Sequence, residues 1–240
     1  MEKLNLDRHI SQQFDSELEG LKSEVLEMGG IVEQQIIDSL KAIESIDTDL
    51  AERVIRIEDD VDLREVAIDN SCTSVLACRQ PAASDLRMVL TVMKIVRDLE
   101  RIGDEAQKIA KMAISLSDSG PAPGGYEEVR HMGALVQQMV KSVLDAFARF
   151  DVDKALDVAR ADKQVDREYK SAMRELVTYM MEDPRSIGRS MNILWAFRAV
   201  ERIGDHARNI AEHIIFLVRG LDVRHVSVSE MERKLSNTNI

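Results

Sequence analysis

Proline, glycine, cysteine and aromatic residues are all scarce in this 240-residue sequence. It has four prolines, eleven glycines and two cysteines, and aromatic residues make up 4% of the chain. Because few residues interrupt helices, and because Ala, Leu, Glu, Lys, Arg and Met are common, the composition favours long helices over sheets.

The two cysteines and the lack of long apolar runs indicate where such a protein resides. Cys72 and Cys78 are six positions apart in one helical stretch, which is too far for a disulfide between them. We expect both thiols to be buried in a reducing compartment. No segment approaches the ~20 uncharged residues that span a bilayer, and no signal peptide is visible at the start. The prediction is a cytoplasmic protein.

Positive charge is also in short supply, since the formal net charge is −11. A surface of this sign repels phosphate backbones, so nucleic acid is not an expected partner. Cations and basic protein surfaces are the more natural ligands.

Catalytic motifs are missing as well. The sequence has no Gly-rich phosphate loop, no Gly-x-Ser-x-Gly and no Cys/His cluster. Glu128 and His131 have the Glu-x-x-His spacing of di-iron bundles, but those folds need two such segments. His213 and His225 are expected to be surface or capping residues. An enzyme is therefore not predicted.

The sequence does contain a long internal repeat. Glu100-Arg101-Ile102-Gly103-Asp104 returns as Glu201-Arg202-Ile203-Gly204-Asp205, at an offset of 101 residues. Residues 28–62 likewise align without a gap to residues 132–166, at an offset of 104. Near the midpoint, residues 117–125 are rich in Ser, Gly and Pro, as linkers are. The pattern indicates a tandem duplication.

Apolar residues recur every three or four positions through each copy, as in amphipathic helices. Short connections between them favour up-down-up neighbours. We therefore predict an all-α protein of two tandem, pseudo-symmetric three-helix bundles. The first bundle covers residues 1–118, a linker covers 119–125, the second bundle covers 126–220, and a loosely held polar tail covers 221–240.

Each copy carries two acidic pairs, one on its second helix and one on its third. Residues four apart share one face of a helix, so the two carboxylates of a pair project side by side. The pairs are Glu58/Asp62 with Glu100/Asp104 in the first copy, and Asp162/Asp166 with Glu201/Asp205 in the second.

Four carboxylates across one groove repel each other unless cations or protons neutralise them. Hard cations such as Fe³⁺, Mn²⁺, Mg²⁺ or Ca²⁺ suit such a site. The alternative is a solvated face, on which Arg97 and Arg101 form ion pairs of at most ~0.5 kcal/mol. The persistence of both pairs in each copy favours a cation site. Gly103 and Gly204, inside the motifs, are expected to let a neighbouring helix approach.

The duplicated motif resembles the PhoU family, accessory proteins of phosphate-specific transport. His9-Ile10-Ser11, Val25 to Gly30, Val61-Asp62 with its copy Val165-Asp166, and Asp222 to His225 are similar to that family too. The resemblance implies a cytoplasmic homodimer that represses phosphate uptake and the phosphate-starvation response. It would connect the ATPase subunit of the phosphate ABC transporter to a sensor histidine kinase, and it would meet a membrane only through these partners.

The resemblance also implies metal clusters at the acidic motifs. Iron is the first candidate, with zinc, manganese, magnesium or calcium as alternatives. The implied ligands are Glu58, Asp62, Glu100, Asp104, Asp162, Asp166, Glu201 and Asp205. Two other hypotheses remain. In one, the protein is a metal-dependent enzyme or a metal store of the carboxylate-bundle type. In the other, the acidic pairs serve only as structural salt bridges.

Overall fold

A computed structural model describes residues 12–237 of the chain. This part contains seven α-helices, one 3-10 turn at Pro184–Ser186, and no strand. The helices are α1 (Gln12–Ser45), α2 (Thr48–Arg79), α3 (Ala83–Ser119), α4 (Tyr126–Arg149), α5 (Val152–Glu182), α6 (Ile187–Arg219) and α7 (Val228–Asn237). The all-α prediction is confirmed.

The second helix of each copy begins at the same kind of cap. Asp47 accepts a hydrogen bond from the backbone N–H of Leu50 at 2.9 Å, and Asp151 accepts one from Lys154 at 3.0 Å. Each bond satisfies one of the amides that a helix start leaves without an intrahelical partner. Asp47 and Asp151 are separated by the same 104-residue offset as the repeat, so the repeat includes the residues that begin these helices.

The helices form the two predicted three-helix bundles, α1–α3 and α4–α6. The bundles lie side by side, and α3 against α6 is the most extensive helix contact in the structure. Buried apolar side chains from both bundles make one continuous core. The two motif-bearing helices are therefore the central pair.

A second contact between the bundles joins α1 to α4 through glycines. A Cβ atom on Gly29 would overlap the side chain of Leu144, and one on Gly133 would come within 2.6 Å of Leu40. The two pairs are reciprocal, because both follow the 104-residue offset. Gly29 thus gives close packing, and α1 continues through it unbroken.

The C-terminal segment differs from the loosely held tail that we expected. Residues 228–237 form α7, and Val223 and Met231 have no exposed surface. Arg160 of α5 also donates to Glu232 of α7 at 2.6 Å. A few buried apolar side chains in this otherwise polar segment are enough to pack one helix against the rest of the protein. Residues 1–11, which include the His9-Ile10-Ser11 similarity, and 238–240 lie outside the described residues.

The cysteines follow the expectation only in part. Both are free thiols; Cys72 is buried, but Cys78 is exposed. Six helical positions amount to about 240° of rotation, so the two side chains leave the helix on different sides. No helix among residues 12–237 is both long and apolar enough to cross a membrane.

Candidate metal-binding grooves

The first acidic groove is the site of Glu58, Asp62, Glu100 and Asp104, and Glu58 is its most buried member, with a side chain that is almost fully buried. Its Oε2 accepts a hydrogen bond from Gln35 Nε2 of α1 at 2.8 Å. Glu58 Oε1 and Gln35 Oε1 are both buried, and neither has a hydrogen-bond partner. A buried acceptor without a donor carries the full cost of its lost hydration. These two oxygens need a proton or a cation.

The charges around Glu58 lead to the same conclusion. Burial raises the pKa of Glu58 to about 7, although the Gln35 hydrogen bond opposes the shift. The charges on Asp104, Asp62 and Glu100 raise it further. All four predicted carboxylates of the first copy therefore interact electrostatically. Glu100 and Asp104 are half-buried, whereas Asp62 is exposed.

The groove contains more acid than the sequence analysis assigned to it. Glu65 and Asp69 line an open cavity of about 600 Å³ together with Glu100 and Asp104. Burial, followed by the charge on Asp69, raises the pKa of Glu65. The signal was present in the sequence, because acids at 58, 62, 65 and 69 form one stripe along α2.

The second groove is built from the same motif but is neutralised by an arginine. Asp162 is buried, and Arg208 Nη1 donates to its Oδ2 at 3.1 Å. Arg208 Nε donates to Glu212 Oε1 at 3.1 Å as well. Burial raises the pKa of Asp162, with Arg208 opposing. Position 139, the repeat counterpart of Gln35, is a buried methionine.

The remaining members of the second set surround Asp162. Arg198 donates to both carboxylate oxygens of Glu201 at 2.9 Å, and Asp205 is exposed. Burial and the charge on Asp205 raise the pKa of Glu201, and the charge on Asp166 raises it too. The second four therefore also come together.

The two grooves suit a cation unequally. As placed, no group of three or more His, Cys, Asp or Glu side chains among residues 12–237 is arranged to hold a metal ion. In the first groove, the two orphaned oxygens fit a cation that the carboxylates could close on by side-chain rotation. In the second, Arg208 occupies the place of the positive charge. The eight-ligand site stays a prediction.

Comparison with known proteins places this chain. The PhoU domain model matches residues 25–113 and 129–214, one match for each bundle. The chain belongs to the PhoU family.

Its relatives extend over almost its whole length. The "Phosphate-specific transport system accessory protein PhoU homolog" of Pseudomonas aeruginosa is 57% identical, covering 98% of this chain and 97% of that one. The PhoU protein of Escherichia coli is 45% identical, covering 98% of each chain.

Solved PhoU structures have the same fold. The crystal structure of PhoU from Pseudomonas aeruginosa matches with a TM-score of 0.85 at 59% identity, over 87% of this chain and all of that one. The phosphate transport system regulatory protein PhoU from Streptococcus pneumoniae matches with a TM-score of 0.81 at 33% identity. That match covers 88% of this chain and 99% of the other.

The two motif glycines of this PhoU chain do different things. A Cβ on Gly103 would lie 2.7 Å from Glu58 Oε2 and 3.1 Å from Gln35 Oε1. Gly103 therefore makes room for the Glu58 carboxylate rather than for a helix backbone, which corrects the expectation. Around Gly204 the nearest atoms are 3.5 Å or farther, an ordinary contact distance.

This difference predicts that the same substitution, glycine to alanine, changes stability differently at the two positions. Gly204→Ala should raise the free energy of unfolding by about 0.5–1 kcal/mol, because alanine is the better helix former. Gly103→Ala should show no such gain, because its methyl group displaces the Glu58 carboxylate. Urea unfolding of the two variants checks this, and an equal gain at both positions would contradict it.

Polar contacts between the bundles involve residues beside the motifs in this PhoU chain. Arg202 donates to the buried Glu105 at 2.6 Å. Asp98, also buried, lies 3.0 Å from His206 Nδ1 and 3.3 Å from His213 Nε2. His213 is thus largely buried rather than a surface or capping residue. The sequence analysis missed Asp98, because its repeat counterpart is Ala199.

Proposed function

We propose that this protein is an accessory regulator of a phosphate-specific transport system, acting in the cytoplasm to repress phosphate uptake and the phosphate-starvation response. The observation that carries the proposal is similarity to accessory proteins so named, along nearly the full length of the chain. The family is regulatory and is not a known enzyme.

The proposed action is that of an adaptor between the ATPase subunit of the transporter and a sensor histidine kinase. Large exposed apolar side chains support protein partners where they share a face, as Leu63 and Val66 do, three positions apart on α2. Leu63 and Val66 on α2 are 68% and 58% exposed, and Met181 and Trp195 are 78% and 56% exposed. A homodimer would use part of this surface.

The proposed metal site is the first groove, with iron as the first candidate. The support is the pair of buried oxygens without partners, on Glu58 and Gln35, beside half-buried Glu100 and Asp104. A bound cation would neutralise the carboxylates and tie α2 to α3. Binding in the second groove would require Arg208 to release Asp162, so we expect weaker binding there.

Metal analysis of matched variants tests this asymmetry. Protein purified without chelator should contain metal, and Glu100→Gln with Asp104→Asn should remove most of it. The counterpart double change in the second groove, Glu201→Gln with Asp205→Asn, should remove less. Elemental analysis of the three proteins gives the answer. Equal losses, or a metal-free wild type, would contradict the assignment to the first groove.

Regulation is tested separately in cells. A strain without this gene should express phosphate-scavenging genes in phosphate-rich medium, and the wild-type gene should restore repression. Normal repression in the deletion strain would refute the regulatory role. If the metal-free first-groove variant still represses, regulation stands and the metal is not required for it.

A further inference from the structure

A basic cleft lies between the two bundles, bordered by α3, α6 and the segment that follows α6. Its volume is about 620 Å³, and six Lys or Arg side chains line it against three carboxylates. Such a concentration of positive charge is unexpected in a chain whose net charge is −11.

Three of these six basic side chains already form ion pairs within the protein. Arg202 pairs with Glu105, Arg208 with Asp162 and Glu212, and Arg224 with Asp222. These pairs hold three cationic side chains in place along the cleft. They leave little of their own charge for a ligand.

The basic side chains that line the cleft without an ion pair are on α3. Arg97 and Arg101 are exposed, and within residues 12–237 neither has an ion-pair partner within 4 Å. They are one helical turn apart, so their guanidinium groups share a face. Lys94 completes the row, with its Nζ 5.4 Å from the centre of the Phe216 ring. The row also borders the first acidic groove. The charges on Arg97 and Arg101 oppose the raised pKa of Glu65 there, although no carboxylate of that groove lies within ion-pair distance of them.

A buried histidine on the cleft wall is a second, independent sign of a ligand. His206 is 5% exposed, and its Nε2 has no hydrogen-bond partner. Its Nδ1 lies 3.0 Å from Asp98 Oδ1, and Asn209 also donates to that oxygen. Because a carboxylate only accepts, Nδ1 donates to Asp98, so Nε2 is an acceptor in the neutral ring and donates to an anion only when the ring is protonated. A buried polar atom normally has a partner.

We propose that this cleft binds a small molecule carrying phosphate groups. The planar guanidinium fork of arginine matches two phosphate oxygens at once, and Arg97 and Arg101 offer two such forks. The cleft is larger than a single phosphate ion needs and lies within the usual range for small-molecule sites. A nucleotide or condensed phosphate therefore fits it better than inorganic phosphate.

Calorimetric titration of the purified full-length protein with ATP, pyrophosphate and inorganic phosphate tests the proposal and separates these sources. We expect ATP or pyrophosphate to bind more tightly than inorganic phosphate. Arg97→Gln with Arg101→Gln should weaken that binding about tenfold or more, since charge-assisted hydrogen bonds are lost. Arg53→Gln with Arg174→Gln is the matched control, because both side chains are exposed and it removes the same charge elsewhere.

Several results would overturn the proposal. They are no binding of any of the three anions, equal loss in the control variant, and binding that disappears on chelation of metal. A polyglutamate peptide that binds where the phosphates do not would assign the cleft to an acidic protein segment instead. None of these results bears on phosphate regulation, because the titration involves neither transporter nor kinase.

Discussion

Arg208→Gln should lower the free energy of unfolding by about 2–4 kcal/mol at pH 7, because it leaves two buried carboxylates without their cation. The side chains of Asp162 and Glu212 are 5% and 7% exposed, and Arg208 bonds to both. Glutamine is a fair replacement, since position 107, the counterpart in the first copy, is glutamine.

The loss should shrink as the pH falls. Burial already raises the pKa of Asp162 and that of Glu212, and Arg208 opposes both shifts. Without Arg208 both carboxyl groups take up protons more readily, so acid relieves the variant more than the wild type. Urea unfolding between pH 4.5 and 7 measures this.

A surface arginine provides the control for Arg208. Arg149 is 71% exposed and pairs with Asp145 one turn away. Arg149→Gln should change the free energy of unfolding by less than ~0.5 kcal/mol, as expected for exposed pairs. If both variants lose the same amount, or if the Arg208 variant loses more at pH 4.5 than at pH 7, the buried-charge explanation is wrong.

Glu58→Gln should have the opposite effect and stabilise the metal-free protein by about 1–3 kcal/mol at pH 7. Burial raises the pKa of Glu58 from 4.5 to about 7. Between these values the folded protein holds a proton that the unfolded chain has lost, so wild-type stability falls as the pH rises through this window. Glutamine carries no charge, and its amide can donate to Gln35 Oε1.

The advantage of Glu58→Gln should fade toward pH 4.5 and reverse when metal is added, because only the wild type can use the cation. Chelated and metal-loaded samples, unfolded in urea at both pH values, give the comparison. Asp60→Asn, at an exposed position on the same helix, is the control for lost charge. A variant no more stable than wild type at pH 7, or more favoured at pH 4.5, would contradict the prediction.

Much of the candidate site was visible in the sequence. Two acids four apart on a helix share a face wherever that helix packs, so the pairs around Glu58 and Asp162 followed from spacing alone. The repeat then predicted two such sites. What spacing could not supply was the difference between them, which depends on the contact of Gln35 from α1 with Glu58 and on the contact of Arg208 from α6 with Asp162.

The C-terminal segment is a second feature that the apolar periodicity of the sequence did not predict. Residues 221–240 lack a sustained apolar pattern, yet Val223, Val228 and Met231 pack as α7 forms against the second bundle. A ten-residue helix is marginal by itself and depends on tertiary contacts.

The sequence by itself determined the helical class, the duplication and the carboxylate pairs, because each follows from a pattern along the chain. Tertiary structure alone decided that α3 and α6 form the central pair, and that Asp98 meets His206. It also decided that Gly103 makes room for a carboxylate. The contact between Asp98 and His206 joins residues 108 positions apart, and no local pattern encodes which helix faces will meet. The same packing makes Glu100-Arg101-Ile102-Gly103-Asp104 and its copy unequal, because each meets different neighbours.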